Sequence, residues 1–200
     1  MSHHRYQTDG IVIAGRDSGE SSRYLTLYTR ELGLVAAWAQ GVRELTSKLK
    51  PGTQRCTETQ FELVRGKGVW RVVGAHPLKQ HDTLLRMPGA LARTSRVLDL
   101  VVRITDEGSD PQLYQILATF LDVMERFSRH PSKLRSVELL GLARLLHHLG
   151  YLPQGDLSLL QSSYEWDDAT LERLEVDRAS YLARVRHTIA HLHISTHVSV

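Results

Sequence analysis

The hydrophobic period of this chain changes once, and that change limits the folds open to it. Residues 8–75 read as short β-strands, either brief apolar runs or, as at Thr57–Arg65, apolar side chains alternating with polar ones. Beyond Asp82 apolar side chains recur at every third or fourth position instead. Alternation marks strands with one wet face, and the longer period marks amphipathic helices. A β front followed by an all-α back is an α+β arrangement, not a series of alternating β-α units. The expected division is a barrel domain over 1–80 and a helical domain over 81–200.

Five strands are expected in the front part. Ile11-Val12-Ile13-Ala14 reads as a short apolar strand, followed by the turn cluster Arg16-Asp17-Ser18-Gly19-Glu20. Arg23 to Thr29 is rich in aromatic and β-branched residues, which suit a pleated, half-buried surface. Glu31-Leu32-Gly33 breaks that run, and Gly33 supplies the positive φ of a hairpin turn. Leu34 to Ala39 is the return strand. After Gly41 comes a basic, Ser/Thr-containing segment with Arg43, Lys48 and Lys50, ending at Pro51-Gly52. Thr57 to Arg65 alternates, with Phe61 and Leu63 on one face and Glu58, Gln60 and Glu62 on the other. Arg65-Gly66-Lys67-Gly68 is a turn, and Val69 to Val73 is the fifth strand, with Trp70 and Val72 on one face. Cys56 reads as a small strand residue. Five short strands with an insert between the third and fourth predict a small closed barrel, an OB-fold first and an SH3-like barrel as the alternative.

Helices are expected over Pro88–Thr105, from Pro111 with Asp110 as N-cap, over Ser132–Leu149 with Gly150 as the cap, and over Arg178–Leu192. The second carries the stripe Leu113, Ile116, Leu117, Phe120, Leu121, Met124 and Phe127. Each stripe must bury against another, which predicts a helical bundle. Leu157 to Leu160 is a short apolar patch after Pro153.

Net charge is +3, but its distribution is uneven. Residues 1–80 hold 12 Lys/Arg against 7 Asp/Glu, and residues 81–200 hold 13 against 15. A basic front half suits a phosphate backbone, although charge runs are also common on merely solvated loops. No run of about 18 apolar residues exists to span a membrane, and no apolar segment follows the polar N-terminus, so a cytoplasmic location is expected.

Several chemistries are set aside. The lone Cys56 makes neither an internal disulfide nor a cysteine-based zinc site. His187, His191, His193 and His197 include an i, i+4 pair, but Thr188 stands where a zincin-type site needs glutamate, so these read as solvated histidines. His147-His148 is expected to split between a bundle edge and solvent. Glu165, Asp167 and Asp168 read as a helix start, not a divalent-ion site. No phosphate-binding loop, nucleophile elbow or catalytic set is present, so no cofactor, metal or enzymatic activity is expected. Tyr24, Tyr28, Trp38 and Trp70 are candidates to stack on bases, with a place in the core as the competing reading.

Read in order, Gly19-Glu20-Ser21-Ser22-Arg23, Tyr28-Thr29-Arg30-Glu31-Leu32-Gly33, Ala39-Gln40-Gly41-Val42-Arg43 and Ser47-Lys48-Leu49 resemble the bacterial recombination and repair family RecO. So do Phe61-Glu62-Leu63, Gly66-Lys67-Gly68 and Trp70-Arg71, and in the back half Leu145 to Pro153. The resemblance implies an N-terminal OB-fold and a C-terminal helical domain. It implies a mediator that binds single- and double-stranded DNA and anneals complementary strands. With RecR, such a protein helps load RecA onto strands coated by single-stranded-DNA-binding protein (SSB), whose acidic C-terminal tail the helical domain docks. Arg23, Arg30, Arg43, Lys48, Lys50, Arg65, Lys67 and Arg71 are then the expected phosphate contacts. The chain departs from the family in lacking a four-cysteine zinc motif after the Gly-Tyr-x-Pro segment. It also has a short region after Pro153 and no recognisable C-terminal Ser-Arg pair.

Overall fold

The computed structural model describes residues 4–66, 68–152 and 166–192. Lys67, Pro153, the patch at Leu157–Leu160, Glu165, His193 and His197 lie outside the described residues. The chain forms two compact units. One is Met1–Leu85 with Thr105–Ala118, and the other is Arg86–Ile104 with Thr119–Val200.

In the first unit five strands close into a barrel: β1 (Arg5–Ser18), β2 (Ser22–Thr29), β3 (Gly33–Ala39), β4 (Glu58–Arg65) and β5 (Trp70–Lys79). Their order around the barrel is β1-β2-β3-β5-β4. Every pairing is antiparallel except β3 with β5. This is the OB-fold expectation, and the SH3-like alternative falls away.

The barrel core is the inward-facing half of each strand. Val12, Leu25, Leu27, Val35, Ala37, Phe61, Leu63, Trp70 and Val72 are all buried. β1 and β5 are longer than their apolar runs. The expected turn cluster at Arg16-Asp17-Ser18 is in fact strand, because Arg16, Asp17 and Ser18 pair with Tyr24, Arg23 and Ser22. A closed barrel pairs each strand with two neighbours, so hydrogen bonding carries strands past the point where burial stops. Cys56 lies just before β4 rather than in a strand, buried and at φ 59°. Its N–H donates to the Val12 carbonyl at 2.8 Å.

The β2–β3 hairpin closes as expected. Gly33 sits at φ 68°, the Thr29 hydroxyl donates to the Gly33 carbonyl at 3.1 Å, and the Leu32 N–H donates to that hydroxyl at 3.1 Å. Residues 105–110 then run alongside as a strap. The Leu34 N–H donates to Asp106 at 3.2 Å, the Gly108 N–H donates to Leu32 at 3.0 Å, and Glu107 bridges to Gly33.

After the barrel come α1 (Asp82–Arg86), α2 (Pro88–Ile104), α3 (Pro111–Arg126), α4 (Pro131–His148), α5 (Asp168–Val176) and α6 (Arg178–His191). The Asp110 carboxylate accepts the Leu113 N–H at 2.9 Å, the expected cap of α3. All seven residues of the α3 stripe are buried. Gly150 at φ 78° ends α4. In the second unit, Glu138 of α4 is largely buried and held by Arg93 at 2.5 Å and Arg96 at 2.6 Å, both on α2. A buried carboxylate without such partners would be costly, so the pair of arginines fixes how α2 meets α4. Asp167 caps α5, accepting the Thr170 N–H at 2.8 Å. His187 and His191 are exposed, with rings stacked at 4.1 Å. Among the described residues no helix is long and apolar enough to cross a membrane.

Candidate nucleic-acid interface

The basic loop after β3 is not loose. Val42 is buried and Leu49 packs against the barrel core, so the loop is pinned at two apolar points. Successive turns fill the space between them: Arg43 N–H to Ser21 at 2.8 Å, Ser47 N–H to Glu44 at 3.1 Å, and Lys50 N–H to Ser47 at 3.3 Å. The Lys50 carbonyl accepts from the Thr53 hydroxyl at 3.1 Å and the Gln54 amide at 3.0 Å. This anchoring leaves the side chains of Arg43, Lys48 and Lys50 exposed.

Of the expected site residues, the structure brings Arg23, Arg43 and Lys50 together. With Val42, Thr53 and Gln54 they line a cleft of about 190 Å³. Asp17 divides the two arginines, 2.9 Å from Arg23 Nε and 3.6 Å from Arg43 Nε. Arg43 also donates to the Gly19 carbonyl at 3.3 Å. Arg30 and Arg65 are placed elsewhere. Arg30 lies 3.8 Å from Asp9 and 4.9 Å over the Tyr114 ring. Arg65 lies 3.7 Å from Glu107 of the strap and 5.0 Å over Trp70. Lys67 lies outside the described residues.

Arg71 has a different setting. Its guanidinium lies 5.6 Å over the Trp38 ring. Trp38 pairs across β3–β5 with Arg71 and across β2–β3 with Tyr24, which pairs across β1–β2 with Arg16. Arg16 in turn lies 5.9 Å over the Tyr24 ring. One outward row therefore reads Arg16, Tyr24, Trp38, Arg71, one residue from each of four neighbouring strands. Sequence reasoning missed Arg16, because it stood in an expected turn. The signal was the strand pairing, which brings it level with Tyr24.

The four candidate aromatics separate cleanly. Tyr28 and Trp70 are core residues, 2% and 4% exposed, and are not available to stack on a base. Burial, and then the Asp110 carboxylate, push the Tyr28 phenol well above its ordinary pKa. Tyr24 is 39% exposed and Trp38 is partly exposed.

The second unit has a cleft of its own, about 300 Å³. Leu100, Leu142 and Ile189 give it an apolar lining, and Arg96 and Arg103 line it beside Asp99 and Glu138.

These features define a class: an OB-type barrel that gathers cations beside exposed aromatic rings, continued by a helical unit. Comparison with known proteins agrees. The family model described as "Recombination protein O N terminal" matches residues 1–81. A DNA repair protein RecO of Heliobacterium modesticaldum is 36% identical over 154 residues, covering 77% of this chain and 55% of the relative. The DNA repair protein RecO of Desulfitobacterium hafniense is 33% identical, covering 74% and 53%, and that of Myxococcus xanthus is 30% identical, covering 76% and 62%. Residues 1–81 thus match the N-terminal domain of the RecO family, and the relatives carry the similarity over about three quarters of the chain. The chain spans about half the length of the curated relatives it matches.

Proposed function

We propose that this chain acts in DNA repair and homologous recombination as a non-enzymatic mediator. It binds single- and double-stranded DNA, anneals complementary strands and, with RecR, helps load RecA onto strands coated by SSB. It works in the cytoplasm and needs no cofactor. The observation that carries this reading is the gathering of Arg23, Arg43 and Lys50 into one cleft beside exposed Lys48, in a barrel that matches the N-terminal domain of the RecO family.

Phosphate contacts position a nucleic acid without reading its sequence. Arg23, Arg43, Lys48 and Lys50 form the centre of that contact, and Arg30, Arg65, Lys67 and Arg71 are the further phosphate contacts in this reading. Each neutralised phosphate releases counterions, which drives binding and makes it sensitive to salt. Annealing follows from the same charges. Two complementary strands repel each other, and a basic surface that holds both screens that repulsion and raises their encounter rate. No bond is made or broken in the backbone, so no nucleotide is consumed.

The cleft in the helical unit supports a tail-docking role. An acidic peptide would place its carboxylates near Arg103 and any apolar side chain against Leu100, Leu142 and Ile189.

A fluorescence annealing assay with complementary oligonucleotides, run without ATP, tests the reading. Bare strands and SSB-coated strands are both expected to anneal faster with the protein than without it. Acceleration with bare strands alone would remove SSB docking from the proposal. No acceleration at low salt, with binding intact, would favour a general single-strand-binding barrel without mediator activity.

A further inference from the structure

The outward row Arg16, Tyr24, Trp38, Arg71 is not part of the barrel core. Its two rings lie on the wet face, while the core is filled from the other face by Leu25, Leu27, Val35 and Ala37. We propose that this row is a stacking platform for two consecutive unpaired bases of a nucleic-acid strand that crosses the barrel at right angles to its strands. The proposal rests on the DNA-binding reading above and adds to it a contact with the bases themselves.

Register sets the geometry. Tyr24 and Trp38 are direct cross-strand partners, so their backbones stand one inter-strand spacing apart, about 4.8 Å. That spacing offers one ring per base to successive nucleotides whose bases have been drawn slightly apart. Each ring has a guanidinium at its outer side, Arg16 at 5.9 Å from Tyr24 and Arg71 at 5.6 Å from Trp38. A guanidinium over a ring enriches a surface for a π-face and also offers donors to a phosphate, so the two arginines bracket a two-base step. Beyond Arg71 the row passes to Val64 of β4, which offers no ring, so the platform has two aromatic steps.

Charge identifies the occupant. Arg16 and Arg71 give the platform cations of its own on the same exposed face, which favours an occupant that carries phosphates. The occupant is an unpaired strand because a base inside a duplex has both faces covered by its neighbours. Base–aromatic stacking tolerates any sequence, which suits a protein that must hold arbitrary strands.

Tryptophan fluorescence provides the test. The chain has three tryptophans; Trp70 and Trp166 are each 4% exposed, and Trp38 is the one on the outward face. The probes are a short oligothymidylate and an abasic strand of equal length, which keeps the phosphates and removes the bases. Oligothymidylate is expected to bind more tightly and to quench emission, and the abasic strand to bind without quenching. Trp38→Phe should abolish the quench. Tyr24→Ala and Trp38→Ala should each weaken oligothymidylate binding on the order of tenfold. Abasic binding should stay the same in both variants, which also reports an intact fold. Equal affinity for the two strands, unaltered by Trp38→Ala, would overturn the platform and leave the DNA-binding reading standing. Binding of neither strand at low salt would overturn both.

Discussion

Asp17 is the residue on which the basic cleft turns. Its carboxylate lies against both Arg23 and Arg43, at 2.9 and 3.6 Å, so it occupies donors that a phosphate would use. An exposed ion pair is worth at most about 1 kcal/mol, so its removal should raise DNA affinity up to about fivefold. Fluorescence anisotropy at low salt should therefore show tighter binding for Asp17→Asn. Weaker binding would mean that Asp17 holds the arginines in a productive pose. Cys56 makes the opposite kind of statement. Burial pushes its thiol up to about 11, against a smaller opposing pull from Arg55. At pH 8 only roughly one thiol in a thousand is then ionised, and the thiolate is the reactive form. Iodoacetamide should label the folded protein slowly and the urea-unfolded protein fast; rapid labelling of the folded protein would contradict the buried placement. Arg16 shows what sequence conceals at this scale. Next to Asp17-Ser18-Gly19 it reads as turn, and only its pairing with Tyr24 puts it on a strand.

At the scale of elements, features with a local chemical signal were legible. The caps at Asp110 and Asp167 marked helix starts because a side-chain carboxylate answers free N–H groups within the same few residues. Gly33 marked the hairpin because few other residues accept its φ. The strap at 105–110 was not legible. It has no hydrophobic period, and its hydrogen bonds run to residues more than seventy positions earlier. A Cβ on Gly33 would stand 2.2 Å from the Gly108 carbonyl oxygen, in a backbone conformation that side chains avoid. Gly33→Ala should therefore cost at least about 2 kcal/mol, from positive-φ strain and overpacking together. A lower urea midpoint at unchanged slope is the expected readout. A loss under about 0.5 kcal/mol would show that the strap does not seat on the hairpin.

Across the whole chain, the switch in hydrophobic period separated barrel from helices because burial is what period reports. It was silent on the site for the same reason: the candidate interface is built from exposed side chains, which follow no period. Arg23 stands on β2 and Arg43 and Lys50 in the loop after β3, and folding joins them by pinning that loop at Val42 and Leu49. Arg30 and Arg65 looked equivalent to them by charge alone, yet neither lines that cleft. The central claim is that this cation group binds DNA through its phosphates, and a salt titration tests it most directly. Single-strand affinity would be measured by anisotropy over a range of salt, for the unaltered protein and for Lys48→Glu with Lys50→Glu. Four phosphate contacts predict a logarithmic slope of roughly −3, at about 0.7 per contact. The double variant should bind more weakly and lose at least about one unit of slope. A slope near zero, or the same slope and affinity in both proteins, would contradict the account.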